Sequence, residues 1–304
     1  MINVTLLGTA GQRPLVNRAL SAALISTDIG DILIDAGEGT QVSLRKYVKR
    51  VGGIDVILIT HLHLDHIGGL PGILLLIASS GRTRPVTVIG PVGLAKKMQS
   101  IMELTGNLPF DVMVAELDEE NVKPLHCGLL EIQPFFLDHT VTCFGYNVIA
   151  HRERKFLVEK AESAGINKDD YEKLFDNETV IVEGHAYVLE DFLGPERIGI
   201  KVTYCVDTRP TETMVEYAKG ADLFICEGMY ADCTQMPKAL QNKHLLWSEA
   251  AAIAQEASVK RLWLTHYSAS VSSFKEFESE AKEIFRNTLA ARDGQMIQLS
   301  YEDS

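Results

Sequence analysis

Three histidines and one aspartate stand within six residues in the segment Thr60-His61-Leu62-His63-Leu64-Asp65-His66-Ile67-Gly68-Gly69. Imidazole nitrogens and carboxylate oxygens are the donors that suit zinc. His61 and His63 lie two apart, so an extended backbone turns both to the same side. A turn past Asp65 can send Asp65 and His66 toward a second position, and one short segment can then feed two ions. Gly68 and Gly69 let the backbone pass close beneath. The segment follows Asp55-Val56-Ile57-Leu58-Ile59-Thr60, an apolar run that reads as a strand buried on both faces. A chance cluster on a solvated loop would not follow such a strand.

The same layout, an apolar strand ended by His or Asp, recurs three times. His139 follows Phe135-Phe136-Leu137-Asp138, Asp207 follows Val202 to Val206, and His266 follows Leu262 to Thr265. A sheet gathers such strand ends at one edge, which makes all three candidate ligands for a site with two metals. His126, His151 and His185 lack this context and read as surface residues.

The elements that must position these groups follow from hydrophobic periodicity. Strands are expected at 2–8, 21–27, 31–35, 55–60, 86–89, 129–136, 143–149, 202–206, 223–226, 261–265 and 296–300. Helices are expected at 42–48, 69–80, 92–104, 248–257 and 273–287. Residues 151–197 are charged, hold one clear helical piece from Phe156 to Ala164 and end in Gly194-Pro195, so they read as an arm inserted into a single domain spanning 1–304. Strand-rich and helix-rich stretches alternate in two halves, which suits an α/β (α+β) architecture of two packed sheets with helices outside, a four-layer α/β/β/α sandwich.

Bulk properties narrow the functional classes. A hydrophobic fraction of 46% permits a large core. A formal net charge of -12 makes the chain a poor non-specific binder of nucleic acid or anionic membrane, so RNA would need a local basic patch. The five cysteines, at 127, 143, 205, 226 and 233, form no CxxC pair, which argues against a disulfide framework or a thiolate zinc site and fits a reducing compartment. Met1 leads straight into an apolar strand, with no secretory signal pattern. The longest apolar run, Leu70 to Ala78, is too short to span a bilayer and contains Pro71 and Gly72. The expectation is a cytoplasmic protein with no membrane association.

The HxHxDH segment resembles the metallo-β-lactamase fold superfamily, and the chain as a whole is similar to the ribonuclease Z family, which processes tRNA 3′ ends. The matching stretches are Gly8-Thr9, Asp35-Ala36-Gly37-Glu38-Gly39-Thr40-Gln41, Thr60 to Gly72, Leu137-Asp138-His139, Lys201 to Pro210 and Thr265-His266-Tyr267-Ser268. The arm occupies the place of the family's protruding exosite. The resemblance implies two Zn2+ per chain, one held by His61, His63 and His139, the other by Asp65, His66 and His266, with Asp207 bridging. Two such ions activate water and clamp a phosphodiester for in-line attack. It further implies Asp65 as proton acceptor and His244, assisted by Glu227, as proton donor to the leaving oxygen. The expected substrate is precursor tRNA, cut to leave a 3′-hydroxyl, and the expected assembly is a homodimer.

Several stretches depart from the family pattern. Leu245 and Leu246 follow His244 where a hydroxyl residue is usual, Cys226-Glu227-Gly228-Met229 keeps only the glutamate of its motif, and Ser270 stands where an arginine is usual. In the arm the stretch 167–173 is acidic, and Arg152, Arg154 and Lys155 form its one basic cluster and its candidate substrate contacts. These departures keep open an alternative: a dizinc phosphodiesterase of the same fold acting on a small or cyclic nucleotide diester.

Overall fold

The computed structural model describes residues 1–301 apart from 29, 119, 121, 177, 272 and 273. The first residue of the helix expected at 273–287, position 177 of the arm and the last positions of the span 1–304 therefore lie outside the described residues.

Two seven-stranded mixed sheets carry the fold. The first runs in the order Met296–Leu299, Ile2–Gly8, Ala22–Ser26, Asp31–Ile34, Ile54–Leu58, Val86–Pro91, Val112–Leu117. Its first four strands pair antiparallel, and Asp31–Ile34 through Val112–Leu117 run parallel. The second runs in the order Thr288–Ala290, Leu262–Thr265, Leu223–Glu227, Arg197–Cys205, Cys143–Arg152, Leu130–Leu137, Leu125–Cys127. The four strands from Thr288–Ala290 to Arg197–Cys205 are parallel. Parallel strands buried on both faces read as continuous apolar runs, and Ile57, Leu58, Val202, Phe224, Ile225 and Leu264 have no exposed surface.

Helices cover the outer face of each sheet. Leu44, Ile73, Leu74, Ile77 and Met98, from the helices Thr40–Tyr47, Leu70–Ser79 and Leu94–Thr105, join Leu24, Leu33, Ile57 and Val88 in one core. Met214, Ala250, Ala254 and Ala281, from Glu212–Ala218, Trp247–Glu256 and Phe274–Ile284, join Phe135, Phe224 and Leu262 in another. The two sheets are stitched face to face where the Tyr146 hydroxyl donates to the Ile59 carbonyl at 2.7 Å and the Phe144 amide donates to the Thr60 carbonyl at 2.9 Å. This is the α/β/β/α sandwich.

Contacts divide the chain into two compact units, Met1–Ala150 with Ile200–Ser300, and His151–Gly199 with Tyr301. The second has its own small core of Ala161, Ile166, Leu174, Val180 and Phe192. It contains the helices Val158–Ser163 and Tyr171–Phe175 and a hairpin of Val180–Val182 with His185–Tyr187. Among the described residues no helix is long and apolar enough to cross a membrane.

The boundaries differ from the sequence expectation in instructive places. Val112–Leu117 is an edge strand with Met113 and Val114 exposed, so it lacks the buried alternation that marks a strand. Glu212–Ala218 and Met236–Asn242 are helices of seven residues each, about two turns, too short to repeat an apolar stripe more than once. The strand expected at 202–206 begins earlier, at Arg197, and ends at Cys205, which leaves Val206 and Asp207 in the turn beyond it.

Candidate metal centre

The ends of strands Asp31–Ile34, Ile54–Leu58, Leu130–Leu137, Arg197–Cys205 and Leu262–Thr265 converge, and each delivers its polar residue just past the last ladder pairing. Three of these residues take the left-handed conformation: Asp35 at φ 60°, Asp207 at φ 53° and His266 at φ 56°. That region costs a non-glycine residue on the order of 1–3 kcal/mol and persists only where surrounding structure over-determines it. His61 and His63 lie on the extended segment before the short helix Leu64–Ile67, which carries Asp65 and His66. Gly69 is needed as glycine here, because a Cβ would come within 2.1 Å of the Gly37 carbonyl oxygen.

The structure brings together all seven residues proposed from the sequence as metal ligands. One donor atom each from His61, His63, His139 and Asp207 lie within 4.8 Å of one another, and the same holds for Asp65, His66 and His266. Asp207 faces both groups. Its Oδ2 lies 3.7 Å from Nε2 of His61 and of His139, while its Oδ1 lies 3.4 Å from Nε2 of His66 and 3.0 Å from Nε2 of His266. Asp65 Oδ2 lies 3.6 Å from His66 Nε2 and 3.7 Å from His266 Nε2. A tetrahedral ion bound by N and O donors at about 2.0–2.2 Å holds those donors ~3.4 Å apart, which is the spacing seen here.

The hydrogen-bond inventory makes the same point. Nε2 of His66, His139 and His266 and Oδ1 of Asp207 are buried with no hydrogen-bond partner. Buried polar atoms are almost always paired, so four orphans converging on one space fit cations as their missing partners. On His66 and His139 the opposite ring atom is engaged. His66 Nδ1 contacts Asp35 Oδ2 at 2.8 Å, and His139 Nδ1 contacts the Lys243 carbonyl at 3.2 Å. Both acceptors fix the tautomer with the proton on Nδ1 and the lone pair of Nε2 directed into the cluster. Asp35 also accepts from the Thr60 amide at 2.9 Å and from its hydroxyl at 3.0 Å, and that hydroxyl lies 3.1 Å from His61 Nδ1. One buried carboxylate therefore orients His66 directly and His61 through Thr60.

Electrostatics follow from this crowding. Burial would raise the Asp207 carboxyl, but His266, His66 and His61 around it hold it well below the usual carboxylate range. Burial opposes a charge on His66, yet Asp35 and Asp207 outweigh it and raise that imidazole well above its ordinary value, so a cation bound there would have to displace the proton from Nε2 before using its lone pair. Burial lowers His61 and His139, reinforced by neighbouring imidazoles, which keeps both neutral and able to donate a lone pair.

His244 lies beside the cluster, its ring 5.3 Å from that of His139 and 5.6 Å from that of His266. Nδ1 contacts the Glu227 carboxylate at 3.1 and 3.2 Å, so Nε2 is the nitrogen left for other work. Glu227 is fully buried and also accepts from the amides of Thr208 at 2.6 Å and Leu245 at 3.1 Å. Burial opposes protonation of His244, but the charge and hydrogen bond of Glu227 raise it to about 9. An imidazolium at neutral pH is a proton donor.

The arm residues proposed as substrate contacts are placed differently. Arg154 pairs with Glu190 and donates to the carbonyls of Gly194 at 2.6 Å and Leu193 at 3.3 Å, so its guanidinium is engaged within the arm. The Arg152 guanidinium lies 5.2 Å from the centre of the Tyr301 ring, and Lys155 is exposed. His126, His151 and His185 are all exposed, as expected.

The roles of Asp35, Thr60 and the Lys243 carbonyl emerge only in the folded chain. A signal was present for Asp35, which ends an apolar strand as Asp207 does. None existed for Lys243, whose contribution is a main-chain oxygen set by φ 54°.

Comparison with known proteins adds a further constraint. Residues 2–103 match the family model of the anti-Pycsar protein Apyc1. The chain is 42% identical over 303 residues to a ribonuclease Z of Agathobacter rectalis, and 41% identical over 303 residues to one of Clostridium kluyveri, with 100% of both chains covered in each case. Its fold matches the crystal structure of the short form of human tRNase Z with a TM-score of 0.69 and 26% identity, covering 98% of this chain and 99% of that one. A metallo-β-lactamase fold protein from Bacillus subtilis superposes with a TM-score of 0.70 at 21% identity, covering 98% and 100%, and supports the fold alone.

Proposed function

The chain belongs to the ribonuclease Z family, and we propose that it is a zinc-dependent endoribonuclease that removes the 3′ trailer of precursor tRNA. The observation that carries the reading is the convergence of four unpartnered buried donor atoms on a space flanked by both oxygens of Asp207. His61, His63 and His139 would hold one Zn2+, Asp65, His66 and His266 the other, and Asp207 both. Bound there, the two ions supply an activated water and neutralise charge developing on the phosphoryl oxygens.

The remaining work falls to the chain's own groups. Asp65 accepts the proton of the attacking water. The P–O3′ bond breaks, and His244 Nε2 delivers a proton to the departing 3′ oxygen, so the tRNA keeps a 3′-hydroxyl and the trailer a 5′-phosphate. Glu227 holds the His244 ring in place and keeps it protonated. Leu245 and Leu246, in the family's hydroxyl positions, are buried in apolar cores and offer the substrate nothing. Arg152 and Lys155 remain the arm's candidates for phosphate contact. A homodimer, with the arm of one subunit serving the other's substrate, accompanies this reading.

Zinc-loaded protein incubated with an unprocessed tRNA, with products sized at single-nucleotide resolution, tests it. Cleavage after the discriminator base is expected, and its absence with two zinc ions per chain rejects the assignment. The acidic net charge and the engaged Arg154 favour one second reading, a phosphodiesterase for small or cyclic nucleotide diesters using the same residues. Cleavage of a cyclic nucleotide without cleavage of tRNA would select it.

A further inference from the structure

Arg209 stands two residues past Asp207, and a guanidinium beside a phosphodiester site reads first as a phosphate contact. Its geometry points elsewhere. Its two terminal nitrogens form a fork on the Glu249 carboxylate, with Nη1 donating to Oε2 at 2.9 Å and Nη2 to Oε1. Nη1 also donates to the main-chain carbonyl of His244. Glu249 in turn accepts the Leu246 amide at 2.9 Å, which caps the helix Trp247–Glu256. On its backbone side the Arg209 amide donates to the Asp138 carbonyl at 3.0 Å. One residue thus ties together the strand ends carrying Asp207 and His139 and the turn carrying His244.

That turn needs holding. Lys243, immediately before His244, is in the left-handed region at φ 54°. Glu227 fixes the ring through Nδ1 and accepts the Leu245 amide, and the His244 amide donates to the Ala239 carbonyl, but neither reaches the His244 carbonyl. The Arg209 side chain is 14% exposed and its planar fork is occupied by protein acceptors, which leaves it a poor phosphate ligand.

We propose that Arg209 is a positioning residue for His244: through Glu249 and the His244 carbonyl it sets where the proton donor stands relative to the groups around Asp207, and it makes no contact with the phosphate. The inference rests on His244 being the donor, as assigned above.

A leaving group that needs no proton separates this role from the alternatives. p-Nitrophenolate departs as an anion at neutral pH, whereas a ribose 3′ oxygen must be protonated. Zinc-loaded R209Q and E249Q are to be measured on precursor tRNA and on bis(p-nitrophenyl) phosphate, with H244A alongside. General acid catalysis contributes roughly 10²–10⁴-fold, so misplacing the donor should lower kcat on tRNA by about 10–100-fold. KM, its salt dependence and zinc content should stay as in the wild type, and hydrolysis of the nitrophenyl ester should stay within about threefold of it on the same reasoning. R209K keeps the charge without the fork and should resemble R209Q. The R209Q/E249Q double variant should be no slower than either single, because both break one unit.

Raised KM with a salt slope shallower by about one would make Arg209 a phosphate contact and overturn the proposal. Equal loss on both substrates would also overturn it, since that marks a damaged centre. If H244A loses tRNA cleavage while R209Q and E249Q do not, the Arg209 inference falls alone. If H244A keeps full tRNA turnover, the donor assignment falls and takes this inference with it. Should R209Q fail to fold, E249Q, which leaves the arginine in place, still decides.

Discussion

Polar groups are used in opposite ways in the metal centre and in the arm. In the centre, buried donor atoms of His66, His139, His266 and Asp207 have no protein partner, while Nδ1 of His66 and of His139 is bonded on the far side of the ring. In the arm, charged side chains are engaged locally: Arg154 with Glu190 and two carbonyls, Lys160 with the Asp191 carbonyl, Lys173 with Asp170, and Arg197 with the Glu153 carbonyl. A charge that already has its partner stabilises local structure. Several buried lone pairs without one, converging on a single space, mark where a ligand fits. On this criterion the first region is built for function, and most of the second region's basic groups maintain its own fold.

The contrast can be broken most directly at Asp207. D207A removes the carboxylate that faces both ligand groups, and turnover on precursor tRNA should fall by roughly 10³-fold or more, given that bound metals contribute several kcal/mol. Zinc per chain, measured on desalted protein, should fall with it. Full zinc occupancy in D207A would mean that the two groups do not share a ligand.

A smaller effect is expected one step back from the donors. D35N keeps the shape of the buried carboxylate but removes the charge facing His66, and zinc affinity should weaken by about 10–100-fold, as it does for other outer-shell partners of metal ligands. A competition titration with a chelating dye measures it. Unchanged affinity would show that Asp35 serves only the strand end.

The arm sharpens the comparison from the other side. Cys143–Arg152 and Arg197–Cys205 are neighbouring strands, so residues 152–196 can be replaced by a short glycine turn. With the Arg154 guanidinium engaged inside the arm, the log–log salt slope of precursor tRNA affinity should become shallower by at most about two. A loss of several units would place the main RNA grip in the arm.

The mildest prediction concerns pH in the metal-free protein. The fold raises His244 to about 9 through Glu227, above its ordinary 6.5. The group binds its proton more tightly folded than unfolded, so its contribution to stability is complete below pH 6.5 and fades as pH rises through about 9. Thermal melts across this window should decline in the wild type, and the decline should flatten in E227Q. Parallel curves would remove Glu227 as the cause.

What the sequence made legible was the part with repeated grammar. An apolar strand followed by His or Asp occurs often enough to name His139, Asp207 and His266 beside the 61–66 cluster, and burial on both faces marked most of the central strands. Less legible were elements whose stability is borrowed. The edge strand Val112–Leu117 and the short helix Glu212–Ala218 depend on neighbours already in place, so their own residues carry little periodic signal. Orienting contacts were hidden for a different reason. Thr60 and Lys243 act through a hydroxyl and a main-chain oxygen, groups too common for composition to distinguish, and the pairing of Arg209 with Glu249 spans forty residues.

The left-handed turns at Asp35, Asp207 and His266 have a consequence for metal exchange. Their conformational penalty is met by the two sheets, so the ligand shell is framed by backbone before any ion arrives. Such a centre behaves as a socket: chelation should abolish turnover while leaving the far-ultraviolet spectrum intact, and manganese or cobalt should enter the same frame without refolding. Zinc-finger modules behave in the reverse manner, unfolding when their ion leaves.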